Sequence, residues 1–298
     1  MSSVFYSSTI KKLLTSASNI IDHLDAKLIL AHVLKKPREF LIAHDDLSIG
    51  VFEYWLIRRL VQKRKNGVPL AYLTGKKEFY GLEFEVNTHT LIPRPDTELM
   101  VSLTLDSLQT SDYSQPITLI DVGTGSGCIP ISIAKQTIDY GLQTHFYGSD
   151  ISKKALRVAK KNAKKHEVNI TFKQGNLLKP WLSSVICRPS TFIITANLPY
   201  LTDEQFTSEP SIQHEPKSAL VAKKNGLALY EELLKQLKQI VTGYRLQVTC
   251  FFEIDPSQSS EMQTLIHTYL PTAGVNVYKD LAENDRVVYI AIPNKTPQ

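Results

Sequence analysis

The sequence predicts an α/β fold, a mostly parallel, doubly wound sheet preceded by a small all-α domain. Three observations predict it. Apolar residues in the first quarter of the chain recur at helical steps. From about residue 117, short apolar runs alternate with helical patterns. A glycine-rich loop, Asp121-Val122-Gly123-Thr124-Gly125-Ser126-Gly127, joins the first such run to the first such helix. The 298 residues are close to twice the roughly 150-residue prior for one domain, so two domains are expected.

Each element follows in order. Leu24, Leu28, Ala31 and Leu34 recur at steps of three and four, one apolar face of a helix. Lys35-Lys36-Pro37 ends it, because proline disfavours helix in the residue before it. Phe52, Trp55, Leu56 and Leu60 mark a second amphipathic segment. Lys63, Arg64, Lys65, Asn66 and Gly67 close it with cations and then a glycine. Phe79 and Tyr80, Gly81, then Phe84 and Val86 predict a short hairpin. Leu91-Ile92-Pro93-Arg94-Pro95 follows, held extended by its prolines. The expected organisation is a helical domain over 1–76, a β-hairpin linker over 77–95 and a sheet domain over 96–298.

Within the sheet domain, strands are expected at 117–120, 144–149, 170–172, 192–196 and 246–254, with a terminal pair at 275–278 and 287–292. Helices are expected near 129–135, 153–166 and 227–240. Pro130 lacks an N–H and fits only the first turn of its helix, which starts that helix near Gly127.

Composition removes several classes. Cys128, Cys187 and Cys250 are far apart with no CxxC pair, which argues against a disulfide framework or a cysteine zinc site. The eight histidines show no metal-ligand spacing, so no bound metal is expected. No apolar run is long enough to span a bilayer, and the N-terminus lacks a signal-peptide core. A cytoplasmic, soluble protein with no membrane association is the expectation. The net charge of +5 and a pI near 8.9 permit an acidic partner without requiring one.

The loop glycines fall as GxGxG, with Cys128 where a dinucleotide site wants its third glycine. This spacing suits S-adenosylmethionine (SAM) better than NAD; a tight turn without a ligand is the alternative. Gly123, Thr124, Gly125, Ser126 and Gly127 are thus candidate cofactor contacts. Asp150 ends the second strand, where a carboxylate accepts from both ribose hydroxyls, or else caps the next helix. Asn176 and Leu177 follow the third strand and suit an adenine, the amide accepting from its amine and the leucine covering its ring.

Asn197-Leu198-Pro199-Tyr200 follows the fourth strand. The Asn197 amide and the Leu198 carbonyl can each accept one N–H of a substrate –NH₂ group, with Pro199 and Tyr200 shaping the pocket. Such a grip orients a poor, delocalised nitrogen nucleophile for attack on an activated methyl. These four are the candidate catalytic residues, and Asn197 is counted with the cofactor contacts too. Cys128 is read as a small buried helix residue rather than a nucleophile.

Here the chain resembles the peptide chain release factor N5-glutamine methyltransferase family. The family pattern at the last motif is Asn-Pro-Pro-Tyr, from which Leu198 departs. Gly67-Val68-Pro69-Leu70-Ala71-Tyr72-Leu73-Thr74-Gly75, Glu78-Phe79-Tyr80-Gly81 and Leu91-Ile92-Pro93-Arg94-Pro95-Asp96-Thr97-Glu98 are similar to family stretches, as are Glu215-Pro216, Ala219-Leu220 and Asn284-Asp285-Arg286. Asp96 stands where Glu is usual, Asn176 where Asp is common and Asp255 where Gly is common. The resemblance implies a class I SAM-dependent methyltransferase domain, Rossmann-like with a seven-stranded mostly parallel sheet. It implies methylation of the glutamine amide in the Gly-Gly-Gln motif of release factors, which the helical domain helps to dock. A monomer is expected, with no nucleic-acid substrate. The Asn-Pro-Pro-Tyr motif alone is shared with adenine-N6 methyltransferases of nucleic acids, the alternative reading, and a non-catalytic SAM-binding protein is a third.

Two charged features are weighed beside these. Seven lysines and arginines crowd 153–165 with no acid; a solvated helix face is favoured over an RNA or acidic docking surface. Arg94, Asp96 and Glu98 either shape the substrate mouth or form interdomain salt bridges.

Overall fold

The computed structural model describes residues 8–110, 116–138, 143–182, 191–243 and 247–293. Cys187 and Leu246, used above, lie outside them. The chain forms two compact units, Met1–Lys76 with Pro210–His214, and Lys77–Glu209 with Glu215–Gln298. Among the described residues, no helix is long and apolar enough to cross a membrane.

The first unit is helical. A two-residue strand β1 (Ser8–Thr9) leads into α1 (Ile10–Ser18), α2 (His23–Leu34) and α3 (Arg38–Ala43). Strand β2 (Ser48–Ile49) pairs antiparallel with β1, and α4 (Val51–Lys65) and α5 (Leu70–Thr74) complete the unit. Asp22 caps α2 by accepting from Leu24 and Asp25 N–H, and Lys35 ends it in the left-handed region, just before Pro37. Ile10, Leu13, Ala26, Ile29, Leu30, Leu41, Ile57 and Val61 form the core.

Two helical faces differ from expectation. Helix α2 buries Ala26, Ile29 and Leu30 and leaves Leu24 half exposed. Helix α4 buries Ile57, Leu60 and Val61, while Phe52 and Trp55 stay 75% and 61% exposed. Both segments have apolar residues on more than one side, so several stripes fit the 3.6 period equally well. Packing selects the stripe.

The second unit begins with a hairpin, β3 (Lys76–Phe79) and β4 (Leu82–Glu85). Tyr80 and Gly81 both have positive φ, as a two-residue turn of matching twist requires. After an extended segment comes α6 (Glu98–Thr110), a helix that the sequence pattern does not predict. Then follow β5 (Ile117–Val122), α7 (Cys128–Thr137), β6 (Thr144–Asp150), α8 (Lys153–Lys165), β7 (Ile170–Gln174) and β8 (Thr191–Ala196). The short α9 (Asp203–Ser208), α10 (Ala228–Gly243), β9 (Val248–Glu253), α11 (Ser259–Tyr269), β10 (Gly274–Lys279) and β11 (Asp285–Ile292) finish the unit.

The seven strands order as β10-β11-β9-β8-β5-β6-β7. All neighbouring pairs are parallel except those of β11, which runs antiparallel to β9 and β10. Alternate residues feed two cores. Ile120, Ile194, Cys250 and Phe252 meet α10 and α11 through Leu233, Leu237 and Ile266. Leu119, Ile193 and Phe251 meet α6, α7 and α8 through Val101, Ile131 and Leu156. The hairpin joins the second core with Phe79 and Phe84.

Helix α8 turns Ala155, Leu156, Val158, Ala159, Asn162 and Ala163 inward. Its cations face outward, with Lys165 on Glu83 at 2.8 Å and Lys161 near Glu85 at 4.0 Å. The fully buried Asn162 is a clasp. Its Oδ1 accepts from Glu85 N–H at 2.8 Å, and its Nδ2 donates to the carbonyls of Glu85 (3.0 Å) and Ser126 (2.9 Å). One side chain thereby ties the hairpin to the glycine loop. Each buried bond contributes about 1 kcal/mol, and orphaned partners add to the loss. Asn162→Ala is expected to lower stability by about 2–4 kcal/mol, read from urea unfolding midpoints.

Asp121 is a second buried polar group, fully enclosed in β5 beside its register partner Thr195. Burial pushes its carboxyl up to about 7, against the pull of the Thr124 and Thr195 hydroxyls, with the Asp150 charge adding to the rise. The ordinary value is 3.8. Between those values the folded state keeps a proton that the unfolded chain has lost, so stability falls as pH rises. The penalty is absent below about pH 4 and fully present above about pH 7. Asp121→Asn removes the titration. The variant should gain about 2–4 kcal/mol relative to wild type between pH 4 and pH 8, measured by urea unfolding across that range.

Candidate active site

The loop after β5 turns through three positive-φ glycines, Gly123, Gly125 and Gly127. Its start is pinned to β6, because Gly123 and Thr124 N–H both donate to the Ser149 carbonyl at 2.8 and 2.9 Å. At Gly123 glycine is required twice over. Its φ is 74°, and a Cβ there would lie 2.9 Å from Leu198 Cδ2. Gly127 caps α7, against Ile131 and Ala159.

A cavity of about 510 Å³ opens at the C-terminal edge of the parallel strands. Of the sequence-predicted residues, Gly123, Thr124, Gly125, Ser126, Asp150, Asn176, Leu177, Asn197, Leu198 and Pro199 all line it. Gly127 and Tyr200 do not. Cys128 does, but burial pushes its thiol up to about 12, so it stays a protonated, inert wall residue.

Asp150 sits where β6 meets the cavity. Its Oδ2 accepts from Gly125 N–H at 2.9 Å and its Oδ1 from Ser152 N–H at 2.7 Å. Burial raises its pKa, while those two N–H groups favour the charged form. The side-chain cap of α8 is Ser152, which accepts from Ala155 N–H. Asp150 instead braces the glycine loop, and a carboxylate with two such bonds retains acceptor capacity for a ligand.

Leu177 holds a left-handed φ of 54°, strained for a side chain of this kind. The Ser149 hydroxyl donates to its carbonyl at 2.7 Å, and the following N–H of Leu178 donates to Gln236 at 2.9 Å. These bonds hold the strained turn that places Leu177 and Asn176 on the cavity wall.

The Asn197 amide has a set orientation. Its Nδ2 donates to Thr97 Oγ1 at 3.1 Å, which leaves Oδ1 as the acceptor. The Thr97 hydroxyl lies beside the buried Glu253, whose pKa burial raises and Thr97, Arg286 and Tyr200 lower. Tyr200 donates to Glu253 Oε1 at 3.2 Å, and burial pushes its phenol up, so it remains a neutral donor. Asn197 is thus bonded to Thr97 and Tyr200 to Glu253, both pairs part-buried. Gly226 closes behind Tyr200 with a φ of 84°; a Cβ there would collide with the Tyr200 carbonyl.

The extended segment before α6 forms the mouth, where Arg94 lines the cavity. Glu215, buried, accepts from Ile92 N–H at 2.9 Å and from the Arg94 guanidinium. Asp96 lies 3.6 Å from Arg286, and Glu98 accepts from Tyr80 N–H at 2.8 Å. The partners of all three lie within the second unit.

Sequence reading missed Thr97, Glu215, Tyr230 and Glu253. Thr97 and Glu215 lie inside the family-like stretches, but no local pattern marks a role for either. Glu253 ends a strand at the sheet edge where ligands gather, a signal that was available. The residues present fit SAM. The cavity has the volume of a small-molecule site, about 300–1,000 Å³, and a glycine turn, a carboxylate and an apolar wall converge on it.

Comparison with known proteins bears on the same residues. The profile of the PrmC N-terminal domain family matches residues 8–75, and that of a methyltransferase domain matches 114–241. The release factor glutamine methyltransferase of Bacillus subtilis (strain 168) is 34% identical over 267 residues, 88% of this chain and 89% of that protein. The one from Enterococcus faecalis is 36% identical over 221 residues, 74% of each. Among solved structures, the human METTL16 catalytic domain in complex with a MAT2A 3′UTR hairpin superposes with a TM-score of 0.53 at 14% identity, covering 89% of this chain and 91% of that one. The human methyltransferase 10 domain containing protein gives 0.50 at 18%, covering 73% and 90%. At such identities these two share the fold alone. The sheet unit is a class I methyltransferase domain, its cofactor is SAM, and the chain belongs to the release factor glutamine methyltransferase family.

Proposed function

We propose that the enzyme transfers the methyl group of SAM to the side-chain amide nitrogen, N5, of the glutamine in the Gly-Gly-Gln motif of peptide chain release factors. One observation carries this reading. Thr97 takes the Asn197 Nδ2, so the Asn197 Oδ1 is left as an acceptor on a cavity shared with the glycine loop. The names of the relatives at 30–36% identity support the substrate class.

Bound SAM supplies a methyl group already activated by its sulfonium, so no strong base is needed at the nitrogen. Asn197 Oδ1 and the Leu198 carbonyl each accept one N–H of the glutamine amide. Holding both hydrogens draws the nitrogen lone pair out of conjugation and aims it along the line of attack. The glycine loop, Asp150, Asn176 and Leu177 would hold SAM, whose carbon–sulfur bond would break as the nitrogen–carbon bond formed. The nitrogen then sheds one of the held protons past its acceptor to solvent. Pro199 and the apolar wall keep competing water out. The helical unit docks the release factor. Its exposed Phe52 and Trp55 support that role, since large aromatics often anchor protein interfaces.

With methyl-labelled SAM, label is expected on release factor and lost when the motif glutamine is replaced by alanine. Label appearing only in DNA or RNA would overturn the reading in favour of an adenine-N6 enzyme. Asn197→Ala should lower kcat by about 100- to 1,000-fold, with the SAM Kd by calorimetry nearly unchanged. Thr97→Val frees the Asn197 amide to rotate and should lower kcat about tenfold at unchanged SAM affinity.

A further inference from the structure

Leu198 stands where the family pattern has proline, and it brings a backbone N–H that proline lacks. That N–H is buried, and it donates to the Tyr230 hydroxyl at 3.2 Å. Tyr230 is itself fully buried on α10. Its own proton goes to the Glu253 carbonyl, with the Ala196 carbonyl also within 3.3 Å. One hydroxyl thus links the Asn197–Leu198 peptide to the ends of β8 and β9. On the other side of the Leu198 N–Cα bond, Cδ2 is wedged against Gly123 with no room for a methyl group between them.

From this we infer that the Tyr230 hydroxyl is a positioning group that locks φ of Leu198 and so aims its carbonyl into the cavity. Proline would fix that torsion covalently. Here it is fixed from both ends, by the Tyr230 bond on the peptide plane and by the Gly123 wall on the side chain. Pro199 then restricts ψ of Leu198 to the extended range. Both torsions that direct the carbonyl are set. The inference rests on the proposed acceptor role of that carbonyl, but the tether itself does not. Removing the hydroxyl orphans a buried N–H. A proline at 198 has no N–H to orphan, and a hydroxyl that still donates tolerates an idle lone pair.

The test is a double-mutant cycle of Tyr230→Phe and Leu198→Pro. Phenylalanine keeps the ring, so the fold is expected to survive. Tyr230→Phe should lower kcat on release factor about tenfold with KM changed less than about twofold. In the Leu198→Pro background the same change should cost less than about threefold, the residue of the bond to the Glu253 carbonyl. Equal losses in both backgrounds would overturn the inference. Amide exchange of ¹⁵N-labelled protein with SAM alone gives a readout free of substrate identity. The Leu198 N–H should exchange at least about tenfold faster in Tyr230→Phe than in wild type; an unchanged rate would also overturn it. If wild type leaves release factor unlabelled, the proposed substrate fails while the exchange rate still decides the tether.

Discussion

Strand β5 is buried at every position, and the rest of the methyltransferase unit follows from that constraint. A strand enclosed on both faces needs apolar partners above and below it. Helices α10 and α11 close one side, and α6, α7 and α8 the other. Parallel pairing with β6 and β8 then brings three strand ends to one edge of the sheet. The chain must leave β5 at that edge through a turn tight enough to enter α7 at once. Three left-handed glycines supply the turn, and the ligand cavity forms beside it.

The same edge concentrates polar groups that water cannot reach. Asp121, Glu253, Tyr230 and Asn162 are each essentially inaccessible. Each makes at least one hydrogen bond, and such bonds are directional. Here directionality is put to use. Thr97 fixes which end of the Asn197 amide is the acceptor. Asp150 and Ser149 fix where the glycine loop sits. Burial raises the pKa of Asp121, Asp150 and Glu253, and the hydrogen bonds each accepts oppose the rise.

The parts of this arrangement legible in the sequence are those written in consecutive residues. The glycine loop, the strand runs and the Asn197 motif each carry their geometry locally, and the cavity draws ten of their residues together. The faces of α2 and α4 were not legible, because each offers several apolar stripes and only packing chooses. Helix α6 escaped because its mixture of Leu, Met, Val and Thr suits helix and strand alike. The partners of the Asn197 segment lie far away in sequence. Thr97 is 100 residues from Asn197, and Tyr230 is 32 from Leu198. No local pattern encodes such pairs. Glu215, with Ile92 more than a hundred residues distant, is the same case at the mouth.

The contact between Leu198 and Gly123 joins two loops that do different work. One is the glycine turn after β5 and the other the turn after β8, and both line the same cavity. With no space between them, neither position can change its volume alone. A larger residue at 123 would demand a smaller one at 198, and a flatter residue at 198 would open a gap that 123 cannot fill without leaving its left-handed turn. Position 198 is therefore expected to accept only side chains that fit against a fixed glycine at 123. A leucine at 198 thus adds a steric claim to a glycine that the backbone turn already requires.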